Sequence, residues 1–422
     1  MKLERFKEKN NKRKFIILFT VCCVFLLAGA FLYTSFAIFT EDKQFNVING
    51  KYQDPGDLYF AVYIDGEITN TIPSKDSGYT LDEAQSSCTN GAKITWDNES
   101  WSALVDLSNY SAGNMSRTKC TMYFKVDYPI ATDYIISLAD SSSELVYDET
   151  SDNNLRYIGA DPNNYVSFNN ELWRIIGVMN NIDDGTGKKE TRLKIIRDES
   201  IGNYSWDNKG EYGENDWTTS ALQMGLNSGA YYNRTSGECP YGQNGTTTSC
   251  DFSNNGLTEE AKTIIGNAVW NLGGTENYTS SSDGLTSQWY GYERGTEVYS
   301  GRLPAWTSQI GLMYPSDYGY ATSGGSTTNR DMCLTTELWS WNNLNDCYSN
   351  DWLYQSGPDD QWALTPFSGD SSNVIRVNSS GSVYRSYTTN ESYVVFSALY
   401  LSSNAKITDG DGSHDKPFTL SL

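Results

Sequence analysis

The chain has 422 residues, 52 acidic against 31 basic, and a net charge of −21. Setting aside the seven basic and two acidic residues of the first fourteen leaves 24 basic against 50 acidic, a net charge of −26. That balance repels nucleic acid and anionic headgroups and excludes nucleic-acid binding. The single histidine, His414, removes Ser-His-Asp, Cys-His and histidine-rich metal chemistry unless it serves itself, which leaves carboxylates as the available reactive groups.

Residues 1–14 form a basic segment, with Lys2, Arg5, Lys7, Lys9, Lys12, Arg13 and Lys14 against Glu4 and Glu8. Residues 15–39 are uncharged and almost wholly apolar. At a rise of ~1.5 Å per residue a helix of that length crosses a ~30 Å hydrocarbon core. The basic flank should stay inside, making 15–39 a single-pass membrane anchor with the C-terminal bulk outside. Ser35-Phe36-Ala37 also fits a peptidase site, so cleavage after Ala37 would give a secreted protein; the length of the apolar run favours the retained anchor. Residues 37–43 resemble the processing region of exported matrix proteins of the TasA/camelysin type.

A small module spans 44–127. Residues 45–48, 58–64, 93–96 and 119–126 have strand composition, with a turn at Asp65-Gly66 and alternation through 119–126. They read as a small β-sandwich. Outside the apolar span six cysteines fall into three local pairs, Cys88 with Cys120, Cys239 with Cys250 and Cys333 with Cys347, which suits an oxidising exterior.

The remainder, 130–422, opens on a short amphipathic helix carrying Ile130, Ile135, Ile136 and Leu138. Two strands follow at 172–179 and 193–197, joined by a hairpin connection at 180–187. Residues 218–227 read as a capped helix and 258–270 as a second one. Stretches 228–257 and 271–300 are long polar loops, and the closing third is again β.

The order of several patches carries a resemblance. Asn154-Leu155-Arg156-Tyr157-Ile158-Gly159-Ala160 comes first, then Leu172-Trp173-Arg174-Ile175-Ile176-Gly177-Val178 and Asn215-Asp216-Trp217. Gln361-Trp362-Ala363-Leu364-Thr365-Pro366, Ile375-Arg376-Val377-Asn378 and Ala398-Leu399-Tyr400-Leu401 complete the set. Over 130–422 the chain resembles a bacterial surface-protein domain of unknown function related to the C-type-lectin-like fold of formylglycine-generating enzymes and the fibrobacter-type major paralogous domain. The resemblance implies an α+β class: a transmembrane helix, a small β-sandwich-like module, then a C-type-lectin-like domain with long disulfide-tied loops. Val395-Phe396-Ser397-Ala398 stands where that family commonly has an Arg-Pro pair, the calcium-dependent sugar signatures are absent, and paired cysteines do not supply the formylglycine reaction. A fold is implied, without an activity.

Trp339, Trp341, Trp352 and Tyr354 bracket Cys333 and Cys347 among Asn342, Asn343, Asn345, Asp346, Asn350 and Asp351. Flat aromatic faces stack on sugar C–H surfaces, amides and carboxylates bond hydroxyls, and a disulfide preorganises the loop. The candidate ligand contacts are therefore Trp339, Trp341, Asn350, Asp351, Trp352, Tyr354 and Arg376, set against packing of the same aromatics in a core. Residues 289–294 and Arg385 are further polar-aromatic candidates. Asp409, Asp411, Ser413 and Asp415 alternate as in a calcium loop but lack its sixth-position glycine and distal glutamate. A hairpin turn explains the glycines more simply, so no metal ligand or other cofactor is assigned and calcium stays as the alternative. Glu214 with Asp216, or Glu259 with Glu260, are the carboxylate pairs a hydrolase would draw on. The sequence thus reads as a non-catalytic, membrane-tethered extracellular protein binding a glycan or protein. Self-assembly in an envelope or matrix and a carboxylate hydrolase are the alternatives.

Overall fold

The computed structural model describes residues 58–422 except 70, 76, 107–117, 281–282, 356 and 391–392. The proposed anchor at 15–39, Cys22, Cys23 and the strand expected at 45–48 lie outside the described residues. Among the described residues, no helix is long and apolar enough to cross a membrane. The chain divides between Asp127 and Tyr128 into two compact units.

In the first unit, Leu58–Ile64 runs parallel to Thr118–Val126 and turns through Asp65 and Gly66, both at positive φ, into Glu67–Thr69. Tyr79–Leu81 and Ser87–Cys88 also pair with Thr118–Val126. Alternate residues of that strand, Thr118, Cys120, Met122 and Phe124, are buried. The ribbon Lys93–Asp97 with Ser102–Asp106 closes over this face, Trp96 meeting Phe124 edge-on at 5.2 Å. Cys88–Cys120 joins directly opposed residues of neighbouring strands.

The second unit is built on a nine-stranded sheet. Its spine is the hairpin Glu171–Asp183 with Lys189–Arg197, whose strands are apolar enough to be buried along most of their length. The first strand runs on to Asp183, so the connection shrinks from the expected 180–187 to 184–188. There Asp183 and Asp184 carboxylates accept from Gly185 and Thr186 backbone N–H groups. Ala398–Tyr400 lies against Lys189–Arg197, and Tyr165–Phe168 against Glu171–Asp183. Phe418–Ser421 pairs in parallel with Tyr165–Phe168 and brings the chain end into the sheet. A separate meander, Gln361–Pro366, Asn373–Val377 and Val383–Tyr387, forms the second structural platform.

The expected α+β, C-type-lectin-like class is corrected to a mostly β architecture. Among the described residues the α-helices are short, the longest being the eight-residue Ala131–Leu138 and Thr286–Glu293. The helix expected over 258–270 is capped by Thr258 and ends at Ile264. Beyond it, Ala268–Asn271 is a strand paired with Ala305–Ser308, with Trp270 opposite Trp306. The break falls at Ile265, whose backbone is extended, and the following Gly266 lets the Arg192 guanidinium approach to within 2.3 Å of where a Cβ would stand. The polar stretches also hold structure: Ser236–Pro240 and Thr247–Asp251 form a hairpin tied by Cys239–Cys250, and Thr286–Glu293 is helical.

Candidate functional site

The third disulfide, Cys333–Cys347, ties the helix Arg330–Leu334 to the helix Asn345–Ser349 around the 3-10 turn Leu338–Asn343. Asn329 caps the first helix by accepting from the Met332 N–H. The Asp346 carboxylate accepts from the Thr327 hydroxyl and from the Thr327 and Thr328 N–H groups, which fixes the preceding loop.

That tightly held loop sends most of its aromatics inward. Trp341 is fully buried against Tyr318, at 5.2 Å, and its indole N–H donates to the Cys333 carbonyl. Trp352 is 5% exposed; it donates to the Tyr157 carbonyl at 3.0 Å and lies under Arg174 at 4.8 Å. Asp351 is buried, accepts from the Leu353 N–H, and burial pushes its carboxyl well above the usual range. Asn350 donates to the Asp346 carbonyl. Trp341, Asp351 and Trp352 therefore belong to the core and present no face to a ligand. Large aromatic surfaces gain more from burial against Tyr157, Tyr318 and Arg174 than from exposure on a loop. Trp339, 36% exposed, keeps an open face.

Tyr354 and Arg376 do converge. Arg376 lies on Asn373–Val377, directly opposite Trp362 on one neighbouring strand and Tyr384 on the other, so the three side chains share one face. Its guanidinium pairs with the Asp360 carboxylate at 2.6 Å. The other Asp360 oxygen accepts from the Ser379 N–H at 2.8 Å, and the Ser379 carbonyl accepts from the Tyr354 hydroxyl at 2.7 Å. Tyr393 stands edge-on to Trp362 at 4.6 Å and lies under Arg376 at 5.2 Å. Tyr348 meets Tyr354 at 5.0 Å.

The turn 378–382 supports this arrangement through Asn378, whose side-chain oxygen accepts from the Ser380 and Ser382 N–H groups. Gly381 has φ +84°, and a Cβ there would sit 2.5 Å from the Tyr348 ring, so glycine lets that tyrosine pack over the turn. The turn Leu338–Asn343, carrying Trp339, packs beside Val383–Tyr387, carrying Tyr384, which is 42% exposed. The result is a surface of tyrosine rings and one tryptophan around a neutralised Arg–Asp pair, with serine and asparagine groups between.

The other candidates fall elsewhere. Trp289 and Glu293 are fully buried, and Arg385 pairs with Asp370 at 3.5 Å. Asp411 accepts from Ser413 and Asp409 pairs with Lys416, so this turn occupies its own carboxylates. Among the described residues no three His, Cys, Asp or Glu groups are placed to hold a metal ion. Glu214 and Asp216 both face Arg302, and Glu259 pairs with Lys262.

One constellation was not singled out from the sequence. Across the sheet, Gly177 stands between Arg156 and Lys194, and Lys194 stands opposite Tyr400. A Cβ at Gly177 would lie 2.1 Å from the Leu155 carbonyl oxygen, so only glycine fits this register shift. Asp317, on the helix Pro315–Ala321, accepts from Arg156 at 2.6 Å and from Lys194 at 2.5 Å. Asp148 accepts from the other side of Arg156 at 3.0 Å. Lys194 is enclosed by the rings of Tyr314, Trp270 and Tyr400 at 4.2, 5.2 and 5.5 Å. Burial pushes the lysine down to about 8 against the pull of Asp317. Asp317 is itself held down to about 2, since Lys194 and Arg156 overcome the effect of its burial. Glu293 accepts from the Ser316 N–H and hydroxyl at the start of the Asp317 helix, and burial pushes it up to about 7. The available sequence signal was a lone lysine inside the apolar run 193–196.

No family model, no curated protein and no solved structure matches the chain. The resemblance read in the sequence therefore rests on its quoted residues alone.

Proposed function

We propose that this is a non-catalytic, membrane-tethered extracellular binding protein that recognises a neutral glycan through the surface around Arg376. The observation that carries this reading is the convergence of Tyr354, Arg376, Tyr384 and Tyr393 on one support, with Trp339 on the adjoining turn. The exposed rings of Tyr384 and Trp339, with the half-buried Tyr354 and Tyr393, offer stacking faces to sugar C–H groups. The exposed Ser379 and Ser380 hydroxyls suit sugar hydroxyls, while Asp360 and Asn378 hold the support in place. The Arg376–Asp360 pair leaves no net positive charge there, and the acidic chain disfavours an anionic ligand. The basic segment 1–14 followed by the apolar run 15–39 supports the tether.

A glycan array probed with the full chain in detergent, with and without calcium, tests this. Binding weakened about tenfold or more by Tyr354→Ala with Tyr384→Ala would support the site. A folded wild-type chain that binds no glycan would overturn the sugar reading. Self-assembly is the second reading, favoured by the outer strand Val383–Tyr387 with Tyr384 and Tyr387 exposed.

A further inference from the structure

The buried lysine–aspartate pair beneath the helix Pro315–Ala321 has the ingredients of a covalent cross-link. Lys194 and Asp317 come from segments more than a hundred residues apart, and both side chains are almost wholly enclosed. The Lys194 ammonium donates to Asp317 Oδ2, one bond from the carboxyl carbon, while Arg156 donates to Oδ1. Three aromatic rings surround the amine and exclude water, which would otherwise compete for the carbonyl and oppose condensation. We propose that Lys194 and Asp317 are joined by an intramolecular isopeptide bond that forms after folding.

The step needs no outside reactant. A proton passes from Lys194 Nζ to Asp317 Oδ2, giving a neutral amine beside a carboxylic acid. The Nζ lone pair then adds to Cγ, forming the C–N bond. The Cγ–Oδ2 bond breaks, and Oδ2 leaves as water with two of the three ammonium protons; one proton stays on the amide nitrogen. Arg156, fixed from behind by Asp148, faces the negative charge that develops on Oδ1 in the tetrahedral intermediate. Glu293, bonded to Ser316 beside Asp317 and paired with Arg294 at 3.4 Å, is a buried carboxyl that interacts electrostatically with both Lys194 and Asp317. Lowered lysine basicity eases loss of the Nζ proton, while Asp317, held down by Lys194 and Arg156, takes that proton only as its ion pairing with Lys194 is given up. The geometry matches the demand of proximity, since folding alone brings nucleophile and electrophile together.

Peptide mapping of the full-length protein, reduced and alkylated before trypsin digestion, gives the test. The linked protein should yield residues 193–197, uncut after Lys194, joined to residues 303–330, at the sum of the two peptide masses less one water. Separate, unmodified peptides cut after Lys194 and containing an intact Asp317 would overturn the proposal. Prior reduction keeps the three disulfides out of the reading.

Discussion

Burial sorts the tryptophans of this chain more sharply than their position along it. Of the 12, Trp173, Trp206, Trp217, Trp270, Trp289, Trp341, Trp352 and Trp362 are buried, whereas Trp339 remains open. We expect Trp341→Ala to lower unfolding stability by about 3–5 kcal/mol, the range for emptying a large aromatic site, and Trp339→Ala to change it by less than ~1 kcal/mol. Chemical denaturation of the two variants checks the contrast. Asp351 makes a second residue-scale prediction. Its folded-state carboxyl is raised by burial, so its contribution is fully present below the unfolded value and is lost as pH rises through the folded one. Asp351→Asn should therefore raise the melting temperature near neutral pH and have little effect at about pH 4 and below, near the ordinary aspartate value. Equal shifts at both pH values would contradict the assignment.

At the scale of elements, much of the β framework was legible. Alternation at 119–126, the apolar runs at 172–179 and 193–197, and the local cysteine pairs all correspond to strands or bonds in the structure. Helical spacing over 258–270 misled because the segment beyond Ile264 is claimed by Ala305–Ser308, a partner some forty residues away that local periodicity does not register. The candidate site was half legible for the same reason. Tyr354 and Arg376 meet through Asp360 and Ser379, but Trp341 and Trp352 are drawn inward by Tyr318 and Tyr157, contacts that only tertiary packing supplies. The Arg156–Lys194–Asp317 network was illegible because its members are scattered from 148 to 317 and converge across a glycine in the sheet. The disulfide loop gives an element-scale prediction. Replacing Cys333 and Cys347 by serine should cost about 3 kcal/mol, the loop-closure value for a bridge of separation 14. It should also loosen the turn carrying Trp339, read as faster hydrogen exchange over 327–350.

On the scale of the whole molecule, an acidic, mostly β chain with three disulfides suits an extracellular setting, and its two units have separate cores. The aromatic surface around Arg376 belongs to the second unit and stands on the meander of Gln361–Pro366, Asn373–Val377 and Val383–Tyr387. Its rigid support, bonded through Asp360, Asn378 and Tyr354, would reduce the ordering cost of the proposed binding. The measurement that tests this account most directly is glycan binding by the full chain beside two single variants, Tyr384→Ala on the proposed surface and Tyr241→Ala at another exposed tyrosine. The account predicts a wild-type ligand whose affinity falls at least about tenfold in Tyr384→Ala and is unchanged in Tyr241→Ala. A folded wild type without a glycan ligand, or equal losses in both variants, would contradict it.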